Sequence, residues 1–190
     1  MDKFKAILTD CPWKYGFQRY KKNSGCDYPT MSTQELCELP VEQISDSNSL
    51  LFHWVTAPKL KEGLEVMDAW GFKYITVAFT WVKKCKVQTT KNFSGQGYYT
   101  KPNAELCLLG RKGKALPIVD KTVKQIVEFP IKYHSFKPPI IRTKIVKLLG
   151  DVNRIELFAR DKAEGWTAIG NGINGRDIRD SLNDLIKKIA

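Results

Sequence analysis

Lys5-Ala6-Ile7-Leu8-Thr9-Asp10-Cys11-Pro12-Trp13 is the stretch that decides the reading of this chain. Its first five residues centre on the apolar Ala6-Ile7-Leu8, and they read as a short buried strand that ends at Asp10. The proline and the polar, glycine-containing residues that follow, 14–31, mark a loop. In α/β sheets ligands bind beyond the carboxyl ends of the strands. An acid in that position is therefore a candidate for chemistry, provided the rest of the chain is α/β.

The rest of the chain alternates strands with helices. Ser32 and Glu35 have capping-box spacing and open a short helix that Pro40 ends. Leu50 to Val55 reads as a buried strand. A helix starting at Pro58 carries Leu60, Leu64 and Met67 on one face and stops at Gly71. Tyr74 to Val82, Glu105 to Leu109 and Gln125 to Phe129 read as strands, and Lys83 to Gly97 as a long polar loop. Pro138-Pro139 opens a helix with Ile141, Ile145 and Leu148 that Gly150 stops. Arg154 to Phe158 is a further strand, and Asp177 to Ala190 an amphipathic helix carrying Ile178, Leu182, Leu185 and Ile189. The expectation is a single α/β domain over residues 1–190, with helices on both faces of the sheet. Arg160 lies just past one strand, so it shares a crevice with Asp10 if the two strands are neighbours.

Composition narrows the function classes. The 190 residues are 43% hydrophobic and 27% charged, which suits a globular protein. No run approaches the ~18 apolar residues of a membrane span, and the start lacks a signal peptide's apolar stretch, so a cytoplasmic location without membrane attachment is expected. Cys11, Cys26, Cys37, Cys85 and Cys107 are odd in number and lack CxxC spacing, which argues against a disulfide framework or a zinc site. With His53 and His134 the only histidines, no His-rich metal centre is expected.

The net charge is +11, and ten basic residues against two acids between Lys83 and Lys124 give +8 of it. Such a tract attracts polyanions through phosphate contacts, although it also suits a solvated surface. Lys83, Lys84, Lys86, Lys91 and Lys101 are candidate backbone contacts. Tyr98 and Tyr99 stand among them as candidate base-stacking rings or plain loop aromatics.

Asp10-Cys11-Pro12-Trp13 suits an amine attached to a flat base. The adenine N6 lone pair is delocalised into the ring, so the amine is a weak nucleophile. A carboxylate can accept one N6–H hydrogen bond, and the carbonyl of residue 11, held by Pro12, the other. Both bonds favour a nitrogen whose lone pair leaves the ring plane. Trp13 can stack on a base taken out of its helix. The same four residues also suit an Asp-headed turn with a core tryptophan.

Motifs spread along the chain settle between these readings. DCPW at 10–13 is followed by YPTM at 28–31, FHWVT at 52–56, WGF at 70–72 and WVK at 81–83. GYY at 97–99 and ELCLLG at 105–110 come next, then HSFKP at 134–138, ELFAR at 156–160, GW at 165–166 and GN at 170–171. In this order and spacing the sequence resembles the adenine-N6 methyltransferase family. That family includes the seventy-kilodalton catalytic subunit for messenger RNA and small phage and bacterial DNA-modifying enzymes.

The resemblance implies a Rossmann-like methyltransferase fold with a largely parallel, seven-stranded-type sheet and a permuted motif order. It implies S-adenosylmethionine as cofactor, S-adenosylhomocysteine as product, and no metal. It places the catalytic motif at Asp10, Cys11, Pro12 and Trp13, with Asp10 engaging the target amine. It places the cofactor against Asp10, Ser135, Lys137, Glu156, Arg160 and Asn171, with Lys137 meeting a polar part such as the carboxylate. Arg160 and Asn171 meet the ribose or adenine end.

Three positions depart from the family pattern. Cys11 stands for the first proline, Pro139 for an acid after KP, and Gly172 for a Glu or Gln after GN. Gly170 to Gly175 match GxGxxG, but no βαβ unit fits before Ala190, so these glycines read as a tight turn. His134 suits either the cofactor pocket or a packing role. Trp54 and Trp81 read as core, and Glu105 as either a paired structural acid or a wall of the substrate pocket.

The expected function is direct in-line methyl transfer to adenine N6 in nucleic acid, with DNA preferred over RNA, by a monomer or homodimer with a possible partner subunit. Methylation of RNA, methylation of cytosine N4 and a non-catalytic nucleic-acid-binding subunit are the alternatives.

Overall fold

The computed structural model describes residues 2–15, 29–97, 99–133 and 135–189. Seven strands form one sheet in the order β5-β3-β4-β2-β1-β6-β7. They are β1 (Phe4–Asp10), β2 (Ser45–Val55), β3 (Lys73–Lys84), β4 (Ala104–Lys112), β5 (Ile126–Pro130), β6 (Arg154–Leu157) and β7 (Thr167–Ile169). β1 pairs in parallel with β2 and β6, β6 with β7, and β3 with β5; β4 runs antiparallel to both β2 and β3. Six strands therefore point the same way and only β4 is reversed. The expected largely parallel, seven-stranded Rossmann-like sheet is present.

The helices are α1 (Thr33–Cys37), α2 (Val41–Ile44), α3 (Leu60–Ala69), α4 (Ile140–Leu149), α5 (Asn171–Asn174) and α6 (Ile178–Ile189). Two cores result, one on each face of the sheet. The first packs Leu36, Val41, Ile44, Val66, Met67, Leu182 and Leu185 from α1, α2, α3 and α6 onto Ile7, Leu51, Leu108 and Ile155. The second packs Ile141, Ile145 and Leu149 of α4 onto Ala6, Leu8, Phe52, Trp54 and Cys107. Adjacent strand residues face opposite ways, so central strands buried on both faces read as continuous apolar runs. Leu51 to Val55 are all buried for this reason.

Local signals place most elements. The Ser32–Glu35 capping box is formed in both directions, satisfying two of the free amides at the start of α1. Pro40 ends that helix region and also caps α2, a turn the pattern did not announce. β3 runs on through Lys83 and Lys84, which were expected in a loop.

The apolar faces of two helices differ from expectation. In α3 the buried residues are Gly63, Val66 and Met67, whereas Leu60 is exposed. The helix lies so close to β2 that a side chain at Gly63 would meet Val55 Cγ1 at 2.4 Å. That contact sets the helix rotation. In α4 the third buried residue is Leu149, and Leu148 is only partly buried.

Candidate active site

The shared strand direction gathers the chemistry at one edge of the sheet. Asp10 ends β1, Thr56 follows β2, Lys83 and Lys84 end β3, Arg160 follows β6, and the reversed β4 brings its first residues, including Glu105, to the same edge. β1 and β6 are hydrogen-bonded neighbours, with Leu8 opposite Glu156. The condition for Asp10 and Arg160 to share a crevice is met. Both line a cavity of about 50 Å³ together with Trp54, Ser135, Phe136, Lys137, Arg142, Glu156 and Phe158.

Ser135 and Phe158 have φ of 58° each, and they are the non-glycine residues with positive φ among those described. For side-chain-bearing residues that conformation is disfavoured, and it persists where the surroundings impose it. Here both residues lie on the wall of one pocket.

Lys137 is the electrostatic centre of the pocket. Its ammonium lies 2.8 Å from Asp10 Oδ2, 3.3 Å from Glu105 Oε2 and 5.9 Å from the centre of the Trp54 ring. Glu105 gives its other oxygen to Lys83. Burial raises the Asp10 carboxyl above its usual range, and Lys137 offsets only part of that. Burial also opposes ionisation of Glu105, but the cations of Lys137 and Lys83 together hold its pKa below the ordinary value. Burial disfavours the Lys137 ammonium, yet the two carboxylates outweigh this and raise its pKa. Glu156 is raised by burial against the opposing effect of its partner Arg142, which projects from α4. Arg142 was not anticipated. Its only sequence signal is an arginine beside Ile141 on the sheet-facing side of a helix.

The other expected site residues are distributed unequally. The Cys11 carbonyl accepts a hydrogen bond from the Trp13 N–H at 3.0 Å, which leaves its second lone pair for a ligand. The Cys11 thiol is buried, and burial raises its pKa, which disfavours a thiolate. Pro12 is partly buried, and its carbonyl accepts from Met31 at 2.8 Å.

Trp13 was expected to be available for stacking. Its ring is 7% exposed and packs edge-on against His53, with centroids 5.8 Å apart. The reason is the bridge between Trp13 and Met31, which folds the chain back onto the first core. Ser135 lines the pocket, whereas Asn171 is exposed at the start of α5 and does not.

The basic tract is divided. Lys83 and Lys84 are paired with Glu105 and Glu128. Lys86, Lys91, Tyr99 and Lys101 are exposed near the pocket edge of the sheet. Arg111 and Lys112 end β4 at the far edge, because that strand is reversed. Tyr98 and His134 lie outside the described residues. Among the described residues no group of His, Cys, Asp and Glu side chains is arranged to hold a metal ion, and no helix is long and apolar enough to cross a membrane.

The family model described as MT-A70 matches residues 4–172, nearly the whole of this fold and its pocket. The chain belongs to the MT-A70 family. It is 31% identical over 183 residues to "Type II methyltransferase M.MunI" from a Mycoplasma species, covering 86% of this chain and 75% of that protein. Human "N(6)-adenosine-methyltransferase catalytic subunit METTL3" is 25% identical over 182 residues, covering 95% of this chain and 30% of that protein. Human "N(6)-adenine-specific methyltransferase METTL4" is 30% identical over 183 residues, covering 90% of this chain and 37% of that protein. The chain thus spans well under half of either human relative. Membership in this methyltransferase family implies S-adenosylmethionine as methyl donor and a nucleic acid as substrate.

Proposed function

We propose that this chain, acting as one catalytic domain, transfers a methyl group from S-adenosylmethionine to the N6 amine of adenine in DNA. The observation that carries this reading is the Asp10 carboxylate at the end of β1, held by Lys137 in a pocket that Glu156 and Arg160 also line. DNA is preferred over RNA because this MT-A70 chain matches the Type II methyltransferase over most of both chains. A cytoplasmic monomer or homodimer, with room for a partner subunit, is the assembly proposed.

The residues present fit the cofactor by the chemistry of their groups. Lys137 and Arg160 can receive a carboxylate or other acceptors, and Asp10 and Glu156 can accept from an ammonium or a ribose hydroxyl. Asn171, exposed at the start of α5, is proposed to contact the ribose or adenine end.

When bound, S-adenosylmethionine supplies an electrophilic methyl on a sulfonium. Asp10 accepts one N6–H bond and the Cys11 carbonyl the other, which orients the amine lone pair out of the base plane. Fixed alignment of two reactants can supply roughly 7–11 kcal/mol of a barrier. The raised carboxyl of Asp10 is suited to take the amine proton late in the transfer. Lys86, Lys91 and Lys101 hold the phosphate backbone near the pocket edge.

Mass-spectrometric nucleoside analysis after incubation with cofactor and, separately, DNA or RNA tests the reading. N6-methyladenine in DNA is the expected product. Product in RNA alone moves the substrate to RNA, N4-methylcytosine changes the base, and no methylated nucleoside in either polymer rejects an enzyme.

A further inference from the structure

Burial of Trp13 in the first core leaves the base without the ring that the motif offered it. Two residues on, Tyr15 is 48% exposed. It is nevertheless held. Its hydroxyl shares a hydrogen bond with Thr56 Oγ1 at 2.8 Å, and the Lys59 ammonium lies 5.6 Å from its ring centre. Lys59 is itself fixed by Glu62 at 2.8 Å. Tyr15 follows β1 and Thr56 follows β2, which are neighbours in the sheet, so the ring stands at the carboxyl edge beside the pocket. The charges of the pocket reach it. Burial raises the pKa of the hydroxyl most, Thr56 opposes this, and Glu105, Asp10 and Lys137 all act on it as well.

We propose that Tyr15 is the aromatic platform on which the target adenine stacks, with Thr56 and Lys59 presetting the orientation of its ring. This assignment rests on the adenine-N6 reading above. A ring already fixed at hydroxyl and face loses little freedom when a base settles on it. Every base has a π-face, so the platform contributes to binding while Asp10 and the Cys11 carbonyl discriminate the amine.

The test uses the full chain, tritiated S-adenosylmethionine and sheared DNA, with Tyr15→Phe, Tyr15→Leu and Tyr15→Ala beside the wild type. Thermal melts check folding, and calorimetry measures the cofactor Kd. Base–aromatic stacking is worth roughly 1–3 kcal/mol, which at 1.36 kcal/mol per tenfold is about fivefold to about 150-fold. KM for DNA should rise by that factor in the Leu and Ala variants, with cofactor Kd unchanged. Tyr15→Phe, which keeps the ring, should stay closer to wild type than either.

Leu retains the side-chain bulk, so it carries the test if Ala does not fold. A folded Leu or Ala variant with wild-type KM and kcat overturns the proposal. So does a Phe variant as impaired as Ala, because the Thr56 bond and not the ring would then matter. A wild type that methylates neither DNA nor RNA fails the function reading first and removes this assignment with it.

Discussion

Two neighbouring pairs of residues on β1 and β2 show how one sheet builds opposite environments. Asp10 lies in register with Trp54, and both line the charged pocket on the α4 side. One residue earlier, Thr9 lies in register with His53, and both are fully buried on the other face. In the pocket the buried charges are paired: Asp10 and Glu105 on Lys137, Glu105 on Lys83, Glu156 on Arg142. Across the sheet the His53 ring is edge-on to Trp13 and Trp70, with centroids 5.8 Å away in each case. Both His53 nitrogens and the Trp13 indole N–H are buried without a hydrogen-bond partner among the described residues.

The lesson is that burial alone does not mark a site. The pocket holds ionised groups because they compensate one another. The aromatic box holds a polar ring only by keeping it neutral, and burial pulls the His53 pKa from 6.5 to about 3.

The largest effect that would break this comparison is loss of the Asp10 acceptor. Asp10→Asn keeps the size but turns a donor toward an amine that also donates. Removing one well-placed polar partner costs roughly 3–4 kcal/mol in such sites, or a few hundredfold in rate. Single-turnover transfer should fall by that factor while the protein stays folded and binds cofactor. A folded variant with the wild-type rate would move the active site elsewhere.

Next comes the cation that both acids share. Lys137→Met leaves Asp10 and Glu105 facing the same space without a counter-charge. Breaking a buried pair costs about 3–5 kcal/mol, and the 28% exposure of the Asp10 side chain places this change at or below the lower end. Urea unfolding at pH 7 should show the loss, together with weaker cofactor binding. The loss should shrink toward pH 4, as the unpaired carboxyls take up protons in the folded state.

The cations outside the pocket should matter differently. Lys86, Lys91 and Lys101 changed together to Ala should leave stability and cofactor affinity near wild type. DNA binding should weaken, and the log–log salt slope should fall by roughly 0.7–0.9 for each phosphate contact removed. An unchanged slope would place the backbone contacts elsewhere.

On the opposite face, His53→Leu should stabilise. An unsatisfied buried polar group costs about 1–3 kcal/mol, and a hydrophobic swap of similar volume gives back less than about 1.5 kcal/mol. A net gain of about 1 kcal/mol would raise Tm by roughly 2–4 °C at this size. The pH dependence sharpens the point. Below pH 6.5 the unfolded chain takes the proton and the folded chain does not until about pH 3, so wild-type stability falls as pH falls across that window. His53 contributes up to about 1.36 kcal/mol per pH unit to that slope, and Leu should remove its share. An unchanged slope between pH 6.5 and pH 4 would mean the imidazole has a partner.

The smallest effect is expected at Cys11. Cys11→Pro keeps the carbonyl, and Cys11→Ser keeps the shape without a thiol. Both should transfer methyl close to the wild-type rate, because the thiol's raised pKa keeps it protonated. Loss of activity in both variants, with folding and cofactor binding retained, would make the sulfur a participant.

Much of this was legible in the residues. The run before Asp10, the capping box at Ser32 and the collinear motifs each depend on neighbours in sequence, so the strand, the helix start and the family could be read without a fold. The rotation of α3 could not, because it depends on how closely Gly63 approaches Val55. Nor could the splitting of the basic tract, since a list of lysines carries no sign that β4 runs backward between two parallel neighbours.

The sequence by itself determined the family, the sheet-forming pattern and the acid at the end of the first strand. Tertiary structure decided which groups meet: Lys137 reaches Asp10 across 127 positions of chain, Trp13 turns into the core, and Tyr15 comes to rest on Thr56. The physical reason is range. Propensity, capping and turn chemistry act over a few residues, whereas ion pairing, burial and ring contacts depend on distances that only the packed sheet sets.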